Sequence, residues 1–229
     1  MARWTAKVLI ALLVVLTTSA AFANSVELLN FQGLGDLKSI ANFYNGAGLP
    51  GTPNYGVTFS SDFMGLRSYA NGGSGNFAPT PVGTPAVFIS GGQTGSAAMG
   101  VMNVTNGFSA GINFFYSAGF APNQNETVTI WSGANGTGTV LATIALANNN
   151  GNCGAPAYCN WSDAGALFSG TAHSVTFSGP SDEVGFADFT LGSNQTAVPE
   201  PSTLCFIGTG IVGIALRGIR RFRPGFWQS

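Results

Sequence analysis

The central part of the chain alternates apolar and polar residues in short runs, with the two-residue period of half-buried strands. Runs of this kind, or short apolar runs, occur at residues 55–59, 86–89, 108–116, 127–131, 139–146, 174–177 and 184–191, separated by Gly, Pro and Asn clusters. The pattern predicts an all-β fold, an antiparallel β-sandwich. The strand count favours a jelly-roll-like sandwich over an immunoglobulin-like one.

Two local patterns are more specific. Residues 127–146 contain two alternating runs on either side of Asn135-Gly136, a dipeptide typical of hairpin turns, so they predict a β-hairpin with a bulged turn. Residues 36–44 place four apolar side chains on one helical face and predict one or two turns of helix.

The first residues have the pattern of a secretory signal peptide. Arg3 and Lys7 precede an apolar run at residues 8–16, and the small-x-small sequence Ala21-Phe22-Ala23 follows. This order predicts a signal helix that is cleaved after Ala23. The alternative is an uncleaved anchor, but the run is shorter than the ~20 residues of a membrane span.

The C-terminal residues have the reverse layout, with an apolar run at 203–216 before a basic cluster. That cluster consists of Arg217, Arg220, Arg221 and Arg223. Because positive charge beside a span stays in the cytoplasm, the pattern predicts a short transmembrane helix with the body outside the inner membrane. A helix of this run rises about 21 Å against a ~30 Å hydrocarbon core, so the anchor is marginal.

An extended, protease-accessible segment precedes this run, because Pro199 and Pro201 each disfavour helix. The complete motif consists of Val198, Pro199, Glu200, Pro201 and Ser202, followed by the apolar run and the arginine cluster. It resembles the PEP-CTERM sorting signal of Gram-negative bacteria; the alternative is an ordinary single-span anchor. The resemblance implies that an exosortase cuts near Pro-Glu-Pro and that the body passes to the cell surface or the exopolysaccharide matrix.

The two ends divide the chain into a signal peptide at 1–23, a β-sandwich domain at 24–197 and a sorting signal at 198–229. The body also resembles the single-domain β-sandwich of many PEP-CTERM proteins, at residues 42–46, 54–60, 131–138 and 184–192. That second resemblance implies a fold but no activity.

Charge and cysteine usage narrow the function of the body. Without the two ends it has two basic and eight acidic residues, a net charge of −6. Such a body is unsuited to nucleic acid or to anionic lipid, because both require Lys and Arg. Export to an oxidising compartment predicts a disulfide between Cys153 and Cys159, with half of a metal site as the alternative.

One arrangement resembles a catalytic triad. Residues 107–111 read Gly-Phe-Ser-Ala-Gly, and Asp163 and His173 follow in the chain order of an α/β-hydrolase. A nucleophile elbow requires a strand, a sharp turn and a helix, whereas residues 112–116 look like a strand. We therefore expect no catalytic residue and no enzyme activity.

Two binding hypotheses are left. A structural calcium ion is the only cofactor we consider, with Glu27, Asp36 and Asp188 as oxygen ligands; the alternative is that these are solvated acids. Aromatic side chains that could stack on a glycan are Tyr44, Tyr55, Tyr69, Trp131 and Trp161, near Asn42 and Asn45; the alternative is that they belong to the core.

The sequence thus predicts an exported, non-catalytic component of the cell surface or extracellular matrix. The alternatives are a carbohydrate-binding surface module and a secreted hydrolase. Expected partners are the Sec translocon, the inner membrane transiently, an exosortase and extracellular polysaccharide, with no nucleic acid.

Overall fold

The computed structural model describes residues 27–119 and 124–193, and this part of the chain is almost entirely antiparallel β-structure. Its strands are β1 (Glu27–Leu29), β2 (Val57–Phe59), β3 (Phe63–Leu66), β4 (Ala86–Ile89), β5 (Ala97–Ala118), β6 (Glu126–Trp131), β7 (Val140–Leu146), β8 (Ser162–Pro180) and β9 (Val184–Leu191). Short 3₁₀ turns lie at Tyr69–Asn71 and Ala134–Gly136. The prediction of an all-β antiparallel fold is confirmed, and the two predicted terminal helices lie outside the described residues.

Strands β5 and β8 form a long ladder that folds back on itself. Phe177 of β8 pairs with Gly100, whereas Phe114 lies 14 residues further along β5. A straight strand would separate those two positions by about 46 Å, yet the rings of Phe114 and Phe177 lie 6.4 Å apart. Each of the two strands therefore contributes one half to each of two facing sheets.

The bend coincides with irregular pairing in the middle of β5. The register with β8 shifts between Asn103 and Phe108 and again between Ser109 and Gly111. Gly107 has φ +69, and a Cβ there would meet the Thr171 side chain at 2.5 Å and that of His173 at 2.9 Å. Bulges increase local twist and bend a strand, so this segment turns the ladder from one sheet into the other.

The resulting sandwich has two layers. One sheet contains β2, the first half of β5, the second half of β8, β6 and β7; the other contains β3, β4, β9, the second half of β5 and the first half of β8. Strand β1 lies on the same side of β9 as β4. It pairs with the last residues of β9, whereas β4 pairs with the first ones. Strands β3 and β4, and likewise β6 and β7, are hairpins within one sheet; the other consecutive strands cross from one sheet to the other, as in a jelly roll.

Phenylalanine rings fill the space between the sheets. Phe114, Phe177, Phe186 and Phe189 are fully buried, and the ring centroids of Phe177 and Phe186 lie 5.0 Å apart. Phe186 and Phe189 both face the core although they are three residues apart, because the β5–β9 register shifts beside Asp188, which has φ +55. A bulge thus shifts the alternation of side chains along β9 by one residue, so that both rings face the core.

The predicted hairpin is present, and the predicted helix is wrong. Strands β6 and β7 pair across a turn in which Asn135 has φ +55 and Gly136 has φ +68. Residues 36–44 form turns with two isolated bridges, Ser39 to Met64 and Tyr44 to Val57. Ile40 and Tyr44 reach the core without a helix, whereas Leu37 is 51% exposed; distant residues supply the backbone partners of this segment.

No helix among the described residues has both the length and the apolar character that a membrane crossing requires.

Candidate functional site

A cavity of about 300 Å³ opens where β4 and β9 meet. Four aromatic side chains line it, and polar side chains stand between them. We call this site the aromatic groove. Its aromatic members are Phe77, Phe88, Tyr158 and Trp161, and its polar members are Ser74, Asn76, Ser117 and Asp182.

Trp161 is half-buried and fixed in the groove wall. Its indole N–H donates to the carbonyl of Ala78 at 2.9 Å, and its ring packs edge-on against Phe77 with centroids 5.7 Å apart. Backbone also lies close to it, since a Cβ at Gly185 would lie 3.4 Å from the indole. These contacts satisfy the polar end of the ring and leave part of its apolar surface facing the groove.

Tyr158 is held by both its backbone and its hydroxyl. Its N–H donates to Asn76 (3.2 Å) and its carbonyl accepts from Ala78 (2.8 Å), while its hydroxyl donates to Glu183 Oε2 at 2.9 Å. Burial raises the pKa of the Tyr158 hydroxyl, and the hydrogen bond to Glu183 adds to the effect. The phenol therefore stays protonated and its ring stays in place.

The loop that carries Tyr158 and Trp161 is braced against the end of β5. The predicted disulfide between Cys153 and Cys159 is present. The Asn150 amide donates to the Ser117 hydroxyl (2.9 Å) and to the Ala118 carbonyl (3.0 Å), and its Oδ1 accepts the Asn160 N–H at 2.8 Å. One buried asparagine thus joins the loop to the sandwich.

Polar groups in the groove can serve hydroxyl-rich ligands. Asn76 Oδ1 accepts the N–H of Ala157 at 3.2 Å. The side-chain NH₂ group of Asn76 can therefore act as a donor to a ligand. Asp182 is partly exposed and supplies an acceptor. Among the described lining residues there is no Lys or Arg, so the groove suits an uncharged ligand better than an anionic one.

Of the aromatic residues that the sequence suggested for a glycan, only Trp161 lines the groove. Tyr44 is 2% exposed, and its hydroxyl accepts the Phe31 N–H at 2.6 Å. Tyr55 stacks on Tyr44 with ring centroids 5.8 Å apart, and the Trp131 indole donates to Thr176. Tyr69 is 66% exposed but is not among the residues that line the groove.

The two asparagines suggested for glycan binding, Asn42 and Asn45, bond to each other. The Asn45 amide donates to Asn42 Oδ1 at 2.7 Å. Sequence reasoning missed Phe77, Phe88 and Tyr158. A usable signal existed for Tyr158, because it adjoins Cys159 of the predicted disulfide and lies close to Trp161 in sequence.

The three carboxylates proposed for calcium do not form one cluster. Among the described residues no group of three His, Cys, Asp or Glu side chains is placed to hold a metal ion. The carboxylate of Asp36 accepts the N–H groups of Arg67 (2.8 Å) and Ser74 (3.0 Å) and the Ser74 hydroxyl. Asp188 accepts the Thr84 hydroxyl at 2.9 Å, and burial raises its pKa to about 6. Burial also raises the pKa of Glu27.

The triad-like arrangement does not assemble. Ser109 lies within β5 and pairs with Thr171, whereas Asp163 pairs with Phe115, six residues further along β5. That spacing corresponds to about 20 Å. Strand continues from Ser109 to Ala118, so the helix that a nucleophile elbow requires is not there.

Comparison with known proteins identifies the tail. The PEP-CTERM protein-sorting motif matches residues 197–221, which include the Val198 to Ser202 segment, Arg217, Arg220 and Arg221. Arg223 lies beyond the match. These residues, and the predicted cleavage site at Ala23, lie outside the described residues. No curated protein matches the chain.

Solved structures resemble the sandwich only distantly. A family 6 carbohydrate-binding module is 13% identical with a TM-score of 0.37, over 72% of this chain and 92% of that one. The K1 cleaved adhesin domain of Lys-gingipain from Porphyromonas gingivalis W83 is 11% identical with a TM-score of 0.42, over 75% of this chain and 99% of that one. At these values neither assigns a ligand to this protein.

Proposed function

We propose, starting from the PEP-CTERM protein-sorting motif that this exported chain carries, that the protein is a non-catalytic polysaccharide-binding component of the cell surface or exopolysaccharide matrix. The sorting motif makes the protein a substrate for an exosortase and destines it for the outside of the cell. The observation that carries the binding role is the aromatic groove, in which fixed rings and polar groups line one cavity.

The route to the surface follows from the charges and apolar runs of the two ends. The signal peptide takes the chain through the Sec translocon and is removed after Ala23. Residues 203–216 then hold the chain in the inner membrane, with the arginine cluster in the cytoplasm. The exosortase cuts near Pro199-Glu200-Pro201, and the sandwich leaves the membrane.

The groove matches the two surfaces of a sugar ring. Pyranose rings present C–H groups on their faces, which lose contact with water when they pack on aromatic rings. Their equatorial hydroxyls need both donors and acceptors, and Asn76 and Asp182 supply one of each. The rings are already fixed by the Trp161–Ala78 and Tyr158–Glu183 hydrogen bonds, so a ligand orders few side chains when it binds.

Charge favours an uncharged sugar in this groove. Asp182 lines it, and Glu183 accepts the hydrogen bond of Tyr158 beside it. A carboxylate or sulfate on the ligand would meet two acidic side chains, which disfavours the complex.

The test is binding of the exported protein to soluble neutral polysaccharides. The full chain is expressed in a host with an exosortase, recovered from the surface fraction and run in affinity gels containing dextran, glucomannan or arabinoxylan. We expect retardation by at least one of them, and Trp161→Ala should weaken binding about tenfold or more, since a buried aromatic anchor is lost.

Tyr69→Ala is the matched control, because it removes an exposed ring outside the groove. Its affinity should equal that of the unmodified protein. A urea midpoint for each variant reports whether the sandwich is folded. The proposal fails if the unmodified protein binds none of the three polymers, or if the Tyr69 and Trp161 variants lose affinity equally.

A further inference from the structure

A second, polar cavity of about 450 Å³ lies beside the aromatic groove. Its polar lining residues include Gln32, Arg67, Ser68, Asn71 and Thr84, and we call it the Arg67 cavity. Only a short ridge separates it from the groove. Ser74, which lines the groove, bonds through its N–H and hydroxyl to the Asp36 carboxylate, and that carboxylate also accepts the backbone N–H of Arg67.

A buried hydroxyl in this cavity has no partner. Ser68 is 2% exposed, and its Oγ makes no hydrogen bond. Buried polar groups in folded proteins are almost always paired, because an unpaired one costs roughly 1–3 kcal/mol. Ser68 lines the cavity with other atoms, while its Oγ is turned away from it; a rotation about χ1 would bring the hydroxyl to an occupant that can supply the missing partner.

Arg67 brings a positive charge to the same wall. Its Nη2 donates to the carbonyl of Asn71 at 2.8 Å, which fixes the guanidinium along the cavity. A guanidinium has five N–H donors, and the bond to Asn71 uses one of them. The remaining donors are therefore available to an anion.

The nearest acid is already committed to other donors. Burial would raise the pKa of Asp36, but the hydrogen bonds from Arg67 and Ser74, with the Arg67 charge, lower it overall. Its two oxygens accept backbone N–H groups and a hydroxyl. Asp36 thus stabilises the ridge through these hydrogen bonds.

We propose that the Arg67 cavity binds the carboxylate of a uronate unit in an acidic polysaccharide. A planar guanidinium binds a carboxylate through two parallel hydrogen bonds, and the Ser68 hydroxyl donates a third once it has rotated about χ1 toward the cavity. Because the cavity adjoins the groove, one polymer with both neutral and acidic units can fill the two sites. This last point rests on the proposed function of the groove, whereas uronate binding at Arg67 does not.

The placement of charge supports a specific site over general attraction. Lys38 and Arg67 are the two basic residues of the described part, against eight acidic ones. A body of this charge repels polyanions over distance, so any polyuronate that binds must do so through a local cation.

The experiment measures binding of the surface-recovered protein to polygalacturonate by isothermal titration calorimetry, with dextran sulfate as a second polyanion. We expect polygalacturonate to bind, and Arg67→Gln to lower the affinity about tenfold or more, since a charge-assisted bidentate contact is lost. Ser68→Ala should lower it severalfold, and added salt should weaken binding.

Lys38→Gln is the matched control, because it removes the same charge from outside the cavity. It should leave the affinity unchanged. The proposal is overturned if polygalacturonate does not bind, if the Lys38 and Arg67 variants lose affinity equally, or if dextran sulfate binds with the same dependence on both residues.

Testing each variant against both kinds of polymer distinguishes the groove proposal from the uronate proposal. Trp161→Ala should lower affinity for neutral polymers and keep Arg67-dependent binding of polygalacturonate, whereas Arg67→Gln should do the opposite. Loss of neutral binding alone therefore contradicts the groove proposal, and loss of uronate binding alone contradicts this one.

Discussion

At the scale of single residues, a carboxyl in the sandwich interior has a pH-dependent cost. Glu126 is 1% exposed, its Oε1 has no hydrogen-bond partner, and burial raises its pKa to about 8. Gly179 packs directly against the Glu126 carboxylate, and a Cβ at position 179 would collide with that carboxylate. The side chain is thus neutral in the folded protein over a range where it is charged in the unfolded chain.

The sign of the resulting effect on stability follows from this raised pKa. Below pH 4.5 Glu126 is protonated in both the folded and the unfolded protein, so its ionisation does not affect stability. Between pH 4.5 and about 8 it ionises only in the unfolded chain, which stabilises the unfolded state. We therefore expect the free energy of unfolding to fall across this window, by an amount on the order of a few kcal/mol.

Glu126→Gln should remove most of this decline and stabilise the protein at pH 8, as measured by urea unfolding at several pH values. Asp163→Asn, at an exposed carboxyl, is the matched control and should keep the slope of the unmodified protein. If the Glu126 variant kept the same slope of unfolding free energy against pH, the decline could not be assigned to Glu126.

At the scale of elements, the loop between β7 and β8 shows how a segment without regular structure becomes part of a site. A disulfide closes residues 153–159, Asn150 joins the loop to β5, and backbone bonds join Tyr158 to Asn76 and Ala78. Several independent contacts thus place Tyr158 and Trp161 in the groove. Removing one of them should cost stability before it costs binding.

The double change Cys153→Ser and Cys159→Ser should lower the free energy of unfolding by about 2 kcal/mol, since the unfolded loop regains its chain entropy. Affinity for neutral polysaccharide should be retained, because the backbone bonds of Tyr158 persist. Urea unfolding and affinity gels on the same sample check both expectations. A loss of binding at unchanged stability would show that the disulfide alone positions the groove.

At the scale of the whole molecule, the chain combines an acidic sandwich with basic ends. The net charge of −1 averages two very different regions. In our proposal the arginine cluster acts only before processing, when it holds the tail on the cytoplasmic side. The mature protein would then begin at Asn24, end near Pro199-Glu200-Pro201 and lack these charges.

Changing Arg220, Arg221 and Arg223 to Ala should block processing, because the tail is then no longer held on the cytoplasmic side of the membrane. Intact mass of the membrane and surface fractions measures this. The same three positions changed to Lys keep the charge and should be processed normally. Equal processing of the Ala and Lys variants would exclude a role for the charge in sorting.

The sequence by itself determined the fold class, the hairpin at Asn135-Gly136, the disulfide and the sorting motif. Each of these depends on local order along the chain: a two-residue period, a turn dipeptide, a cysteine pair or a linear motif. Short strands such as β1 and β3 were missed, and residues 36–44 were read as helix. In those segments the backbone partners come from distant strands, so local pattern gives no reliable signal.

Only the tertiary structure decided where the sites lie. The ladder of β5 and β8 folds over at Gly107, and the bulge at Asp188 sets which side of β9 faces the core. The groove then combines residues 74–88 with Ser117 and with residues 158–161 and 182–185. The Arg67 cavity combines the β1–β2 loop with residues 67–85. Because the side chains of a site meet through packing between segments far apart in sequence, composition and periodicity could name Trp161 as an aromatic candidate but could not identify its neighbours.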